Sequence, residues 1–264
     1  MTYESILLSK EDGIATIRFN RPATLNSLTF QTYRELERAT LEVRDDKDVR
    51  VLVITGQGRG FCSGGDVNEI IGQLFGKSSE EVLEFTRLTC RVTKNLVELG
   101  KPSIAAINGI AAGAGSVIAS ACDIRIAAQS ARFAFLFVRV GLSGADMGIA
   151  WLLPRLVGTG KARELLLTGD ILGAQEAERI GLVNRVVADG ELETVAVELA
   201  RKLAKGPPIA LKATKELLDK ELTIDFASAL ELDAYSQAVC LQTEDHKEGY
   251  RAFLEKREPQ FKGI

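Results

Sequence analysis

The chain has 264 residues, 46% hydrophobic and 26% charged, with 33 Lys and Arg against 36 Asp and Glu for a formal net charge of −3. This balance is that of an average soluble globular protein, and without a Lys/Arg-rich run it supplies no electrostatic footprint for nucleic acid. Cys62, Cys90, Cys122 and Cys240 stand far apart with no C-x-x-C pair, so neither a disulfide framework nor a zinc site is expected, and a reducing cytoplasm fits best.

The opening MTYESILLSKEDG carries acids early and has no basic stretch leading into an apolar core, so no targeting peptide is expected. Ile6-Leu7-Leu8 and Ile14 to Phe19 have strand character and are separated by Glu11-Asp12-Gly13, a hairpin turn; Asn20-Arg21-Pro22 ends the pair. From about Thr29 to Arg44, Phe30, Tyr33, Leu36 and Leu41 fall at helical spacing with Thr29 placed to cap. Val49 to Thr55 is a short run rich in β-branched residues, as expected of a strand buried on both faces.

Gly56 to Gly65 reads as a loop, about Glu80 to Leu99 as a helix, and Ser103 to Ile107 as a second buried strand. A Gly/Ala turn and a short apolar helix lead to a third strand at Cys122 to Ala127. Ser103 to Cys122 is long enough to pass a crude test for a membrane span. It is rich in Ala, Gly and Ser, contains Asn108 and runs into Asp123 and Arg125, so a buried strand–turn–helix is expected and no membrane partner. Alternating strands and helices imply an α/β domain with a parallel sheet whose strand ends hold ligands.

Beyond about Gly190 the pattern is helical throughout: Glu191 to Lys205, Pro208 to Asp219 with a proline suited to a first turn, Ile224 to Leu241, and Glu244 to Lys256. The expected division is therefore an α/β core over 1–190 carrying the site and a helical region over 191–264 suited to association.

Two loops draw attention. Phe61-Cys62-Ser63-Gly64-Gly65-Asp66 follows a buried strand and precedes a helix near Val67; its glycines allow close backbone approach to a ligand, although taken alone a tight turn capped by Asp66 is the better account. Asn108 to Gly115, NGIAAGAG, also joins strand to helix. It fails as a dinucleotide fingerprint because Ile118 stands where the third glycine belongs, and a small-residue turn made for helix packing remains the plain alternative.

Together the loops resemble the paired oxyanion-hole loops of the enoyl-CoA hydratase/isomerase (crotonase) superfamily. FCSGGDVNE from Phe61 to Glu69 is similar to that family's F-C-A-G-A-D-L with a following E, and NGIAAGAG to its N-G-x-A-x-G-G-G. The likeness continues through Cys122-Asp123, Trp151 to Arg155, Thr168-Gly169, Glu176-Ala177, Gly181-Leu182-Val183 and the closing stretch Glu244 to Arg257.

The resemblance implies a spiral of ββα units with a C-terminal all-helical region, and an acyl-CoA thioester as substrate. It implies thioester oxygen binding by the N–H groups of Ser63 and Ala114, with Gly64, Gly65, Asp66 and Gly113 around them. Such donors contribute roughly 3–4 kcal/mol each as an enolate forms. Lys256 matches a lysine that reaches coenzyme A phosphates, often on a neighbouring subunit, although a solvated helix lysine explains it equally. A homotrimer or homohexamer is implied, with coenzyme A entering only as part of the substrate and neither metal nor redox cofactor taking part.

The chain departs from the family's hydratases at both catalytic glutamates: Val117 and Phe137 occupy those positions, and neither side chain transfers a proton. The nearest acid is Asp146, in Gly144-Ala145-Asp146-Met147-Gly148. An aspartate placed this way resembles the base of relatives that isomerise dienoyl or ring-derived acyl groups, which makes Asp146 the expected catalytic carboxylate. Phe133, Phe135, Phe137 and Trp151 are expected to flank it and raise its pKa. An N-cap role before a helix from Met147 to Val157 is the structural alternative. Hydration, C–C cleavage or hydrolysis through Asp146, and a non-catalytic acyl-CoA-binding scaffold, are the functional alternatives. Arg139 and Ser143 are weaker candidates for the acyl pocket. His246 stands among Glu244, Asp245, Lys247 and Glu248 with no G-x-S-x-G elbow in the chain, which disfavours a serine hydrolase.

Overall fold

The structure, a computed structural model, describes residues 3–264. Met1 and Thr2, and with them part of the expectation about the N-terminus, lie outside the described residues.

Among the described residues ten strands form two sheets. The six-stranded sheet runs β1 (Ile6–Glu11), β2 (Ile14–Phe19), β3 (Val51–Gly56), β5 (Ser103–Ile107), β7 (Ile124–Ala128) and β10 (Arg185–Val187). The four-stranded sheet runs β4 (Gly60–Cys62), β6 (Ile110–Ala112), β8 (Arg132–Ala134) and β9 (Ile171–Gly173). Every pairing is parallel except β1 with β2 and β8 with β9.

The chain alternates between sheets, β3 then β4, β5 then β6, β7 then β8, with a helix after each of the first two pairs. That is the expected spiral of ββα units. The segment from Gly56 to Gly65, read from sequence as a loop, contains β4, and the turn after Ile107 contains β6.

The hairpin between β1 and β2 turns at Asp12 and Gly13, with φ of 49° and 77°, the paired left-handed residues that match the twist of the flanking strands. β3 is buried along its whole length, and its alternate side chains serve two cores. Leu52 and Ile54 join Ala105, Ile107, Val117 and Ile118 on one face. Val51 and Val53 join Ile104, Ala106 and Ile126 against Leu192, Ala196 and Ala200 of the helix Leu192–Ala204 on the other. Each such buried aliphatic side chain contributes about 1.5–3 kcal/mol relative to exposure.

The helix Phe30–Asp45 starts where Thr29 caps it: Thr29 Oγ1 accepts from Thr32 N at 3.1 Å, and Thr32 Oγ1 accepts from Thr29 N at 3.2 Å. Its buried Glu35 is spent on backbone, accepting from Glu4, Ser5 and Ile6 N–H at 3.1, 2.9 and 3.2 Å and so anchoring the start of β1. The C-terminal helices Pro208–Glu221, Phe226–Gln242 and Glu244–Glu255 leave Leu218, Phe226, Tyr235, Val239 and Phe253 exposed. Among the described residues no helix is long and apolar enough to cross a membrane.

Candidate active site

The first loop is held by a segment that sequence patterning did not single out, residues 24–28. Leu28 N donates to Gly64 O at 2.8 Å and Asp66 N to Leu28 O at 2.8 Å, a bridge that turns the N–H of Gly65 to the opposite side. Buried Asn26 ties the same segment to the strand before the loop, its Nδ2 donating to Gly60 O at 2.7 Å. Gly64 has φ of 96°, and an added Cβ there would lie 2.9 Å from the Ala112 carbonyl oxygen, so only glycine fits.

This corrects the expected role of Ser63. Its N–H donates to Leu25 O at 3.0 Å and its Oγ to Thr24 O at 3.1 Å, so both donors are spent on the cradle. Gly65 N–H has no hydrogen-bond partner among the described residues. Asp66 caps the turn Val67–Ile71, accepting from Asn68 and Glu69 N–H at 3.0 and 3.1 Å, while Ser27 Oγ donates to it at 2.8 Å. Partial burial pushes its carboxyl up, but these donors and Arg21 outweigh burial and hold it below the usual range.

In the second loop, Gly113 N donates to Ala134 O at 2.9 Å, and Gly113 has φ of 50° and ψ of −123°, a shape open only to glycine. Ala114 begins the helix Ala114–Ala121, which is buried at every residue, so its N–H has no acceptor within the helix. Ser116 Oγ latches the turn, donating to Ala111 O at 2.6 Å. The loops touch directly: an added Cβ on Gly113 would lie 3.8 Å from Gly64 Cα. The arrangement thus gathers two unspent backbone N–H groups, of Gly65 and Ala114, on loops in contact, one of them at the positive end of a helix dipole.

Asp146 does not cap the following helix. That helix is Ile149–Val157, its N-cap is Gly148 with φ of 83°, and the preceding Met147 is buried with φ of 50°. Two left-handed residues in succession, the first not glycine, bend the chain away from the expected helix start. Within the turn Met147 N donates to Asp146 Oδ1 at 2.8 Å and Ile149 N to Asp146 O at 3.0 Å. Burial pushes the Asp146 carboxyl above the usual aspartate range, and the Met147 N–H only partly offsets it.

Against this geometry, a family model described as enoyl-CoA hydratase/isomerase matches residues 9–264. The chain belongs to the enoyl-CoA hydratase/isomerase family. It is 38% identical over 262 residues to crotonyl-CoA hydratase of Syntrophomonas wolfei, covering 99% of each chain. It is also 38% identical over 260 residues to 1,2-epoxyphenylacetyl-CoA isomerase of Escherichia coli K12, covering 98% of this chain and 99% of that one. A crystal structure from Streptomyces coelicolor A3(2), whose name places it with the enoyl-CoA hydratases, is 48% identical with a TM-score of 0.97 and covers 100% of this chain and 96% of that one. The chain is an acyl-CoA enzyme of this family, whose relatives carry both hydratase and isomerase names.

Within the family fold, Val117 is fully buried in the helix after the second loop, and Phe137 is 8% exposed on the turn Leu136–Val140. Phe133 and Phe135 are buried as well. Trp151 is not part of that group: it is 36% exposed, Arg155 stacks on it at 3.7 Å, and it lines a cavity of about 480 Å³ beside Lys215 and Leu218. Arg139 is turned away, paired with Asp170 at 2.8 Å, and exposed Ser143 Oγ accepts from Ala145 N at 3.1 Å. Exposed Lys256 ends the last helix in a left-handed conformation, φ of 55°, and that helix packs on Phe226–Gln242. His246 lines a groove of about 640 Å³ between the C-terminal helices, apart from both loops.

Sequence reasoning missed Tyr33, which is 3% exposed and lies within electrostatic reach of both Cys62 and Asp146. Its helical spacing marked it as core, and nothing local distinguishes a core tyrosine from one at a site.

Proposed function

We propose that the protein shifts a double bond within an enoyl-CoA thioester. The N–H groups of Gly65 and Ala114 bind the thioester oxygen, withdrawing charge as the α-carbon side becomes an enolate, and Asp146 carries the proton between carbons of the acyl chain. Gly64, Gly113 and Asp66 hold the two donors in place, and Lys256 of a neighbouring copy meets the coenzyme A phosphates in a trimer or hexamer. The helical region over 191–264 forms the contacts between copies, and no cofactor beyond the coenzyme A of the substrate takes part.

The observation that carries this reading is the pairing of Val117 and Phe137, which cannot transfer protons, with a partly buried Asp146 whose pKa is raised. A carboxyl raised above the usual aspartate range is a stronger base, suited to a C–H proton made acidic by the bound thioester. Addition of water through Asp146 is the second reading, favoured by the hydratase name of the Syntrophomonas wolfei relative.

Turnover of 2-enoyl- and 3-enoyl-CoA thioesters of varied chain and ring structure in heavy-oxygen water separates the two, because isomerisation incorporates no label. Asp146→Asn is expected to lower kcat by at least about 100-fold. Near wild-type turnover in that variant on every accepted thioester would overturn the assignment of the base.

A further inference from the structure

Tyr33 is a buried titratable residue that the reaction above leaves unused. It sits on the first turn of the helix Phe30–Asp45, with its ring edge-on to Phe85 at 5.5 Å and 81°. Its hydroxyl has no hydrogen-bond partner among the described residues. Among the described residues the fully enclosed side-chain atoms without a partner are Thr93 Oγ1 and Glu221 Oε1; the Tyr33 hydroxyl is not one of them, so it is not wholly occluded and a water can reach it.

Tyr33 lies within electrostatic reach of Asp146, and packing joins the two. The helix Ser79–Val97, which carries Phe85, continues to Cys90, whose thiol lies beside the Met147 N–H and Asp146, and to Thr93, whose Cγ2 lies 3.9 Å from where a Cβ on Gly148 would stand. One helix therefore packs on Tyr33 at one end and on the Asp146 turn at the other. Met147 N–H occupies Oδ1 of Asp146, and Oδ2 has no donor among the described residues. An unspent donor and an unspent acceptor thus lie within electrostatic reach of each other with no direct hydrogen bond between them.

We infer that Tyr33 is a positioning residue for Asp146: with one water between them the phenol O–H donates and Oδ2 accepts, which fixes the carboxylate rotamer that meets the acyl chain. This rests on Asp146 as the proton carrier. Among the described residues the titratable groups within electrostatic reach of Asp146 are Tyr33 from one helix and Cys90 from the other, and burial and the Met147 N–H are what shift it.

A donor stabilises the charged carboxylate, so its loss raises the Asp146 pKa further. In the full-length protein Tyr33→Phe should lower kcat about tenfold, leave KM within about twofold, and move the acid limb of the kcat profile to higher pH. Wild-type kcat with an unmoved limb would make Tyr33 a packing residue and overturn the inference. If Tyr33→Phe fails to fold, difluorotyrosine at position 33, a stronger donor of nearly the same shape, should move the limb to lower pH, and an unmoved limb overturns the inference equally. Asp146→Asn separates the failures: turnover in that variant removes the base and this inference together. An inactive Asp146→Asn beside a wild-type Tyr33→Phe removes only the inference.

Discussion

Gly115 lies where the second loop becomes helix, and a Cβ added there would stand 2.2 Å from the Cys62 carbonyl oxygen, 2.8 Å from Cys62 Cβ and 2.9 Å from its carbonyl carbon. Carbon–oxygen contacts settle above about 3.2 Å, so Gly115→Ala has to part the loops by roughly 1 Å. The closest atom in the way is backbone, which no rotamer change moves. Overpacking of this kind costs about 1–3 kcal/mol, and fixed backbone places this case at the upper end. Alanine returns up to about 1 kcal/mol of helix propensity, leaving a net loss of about 2 kcal/mol. At about 2–4 °C per kcal/mol for a chain of this size, Tm should fall by about 4–8 °C in a thermal melt. Displacing the peptide before Ala114 by such a distance should cost about 100-fold in kcat/KM on an accepted enoyl-CoA. Gly160, in the helix Thr159–Thr168 with nothing within 4 Å of its added Cβ, supplies the control. Gly160→Ala should raise Tm by about 1–4 °C and leave turnover unchanged. Wild-type Tm and turnover in Gly115→Ala, or equal shifts in both variants, would refute the loop contact.

Asp146→Asn should gain stability as it loses turnover. The folded carboxyl has a raised pKa, so the folded state binds the proton more tightly than the unfolded one, and stability falls as pH rises through the window from the unfolded value to the folded one. Tm of Asp146→Asn should therefore exceed wild type at pH 7, and the difference should vanish below about pH 3.5, where both states are protonated. Lys215 is 8% exposed and donates to Leu96 O and Lys101 O at 3.1 Å each and to Asp123 at 2.8 Å. Lys215→Met should cost about 3 kcal/mol in denaturant unfolding, because it strips the donor from all three acceptors. Thr93→Val removes a buried hydroxyl that has no partner, and should leave stability unchanged or raise it by about 1 kcal/mol by the same measurement.

The elements legible in the sequence are those whose pattern is local and long. β3 and β5 were expected from unbroken apolar runs, the first hairpin from Asp12-Gly13, and the C-terminal helices to within about two residues of their observed ends. β4 and β6 were not legible, since three residues such as Gly60-Phe61-Cys62 are too few to display a period of two. The same limit governs the site. The loops were found from their residues, yet which N–H of the first loop is free depends on Leu25 and Leu28, whose carbonyls are distant in the chain, and on the left-handed φ of Gly64. The resemblance implies Ser63, whereas Gly65 has the unspent donor. Trp151 was expected near Asp146 because it lies close in sequence, but the left-handed pair Met147-Gly148 turns the helix so that Trp151 faces Lys215 instead.

The split between backbone and side-chain chemistry explains why membership of the family does not fix the reaction. Positions 64, 113 and 115 are closed to any Cβ by φ or by contact, and that requirement is indifferent to what the acyl group undergoes. Proton transfer, by contrast, needs only a carboxylate at some point along the acyl chain. Here Val117 is helix, Phe137 a short turn and Asp146 a left-handed bend, three different supports for three different positions. Relatives of equal identity, 38% in each case, accordingly carry a hydratase name and an isomerase name. Overall identity averages over the two cores, whereas in the proposed reading the outcome is set by which of these few supports bears the acid. In that reading the acid of this chain is on the bend, where Met147 is held in a conformation unusual for a side chain of its size.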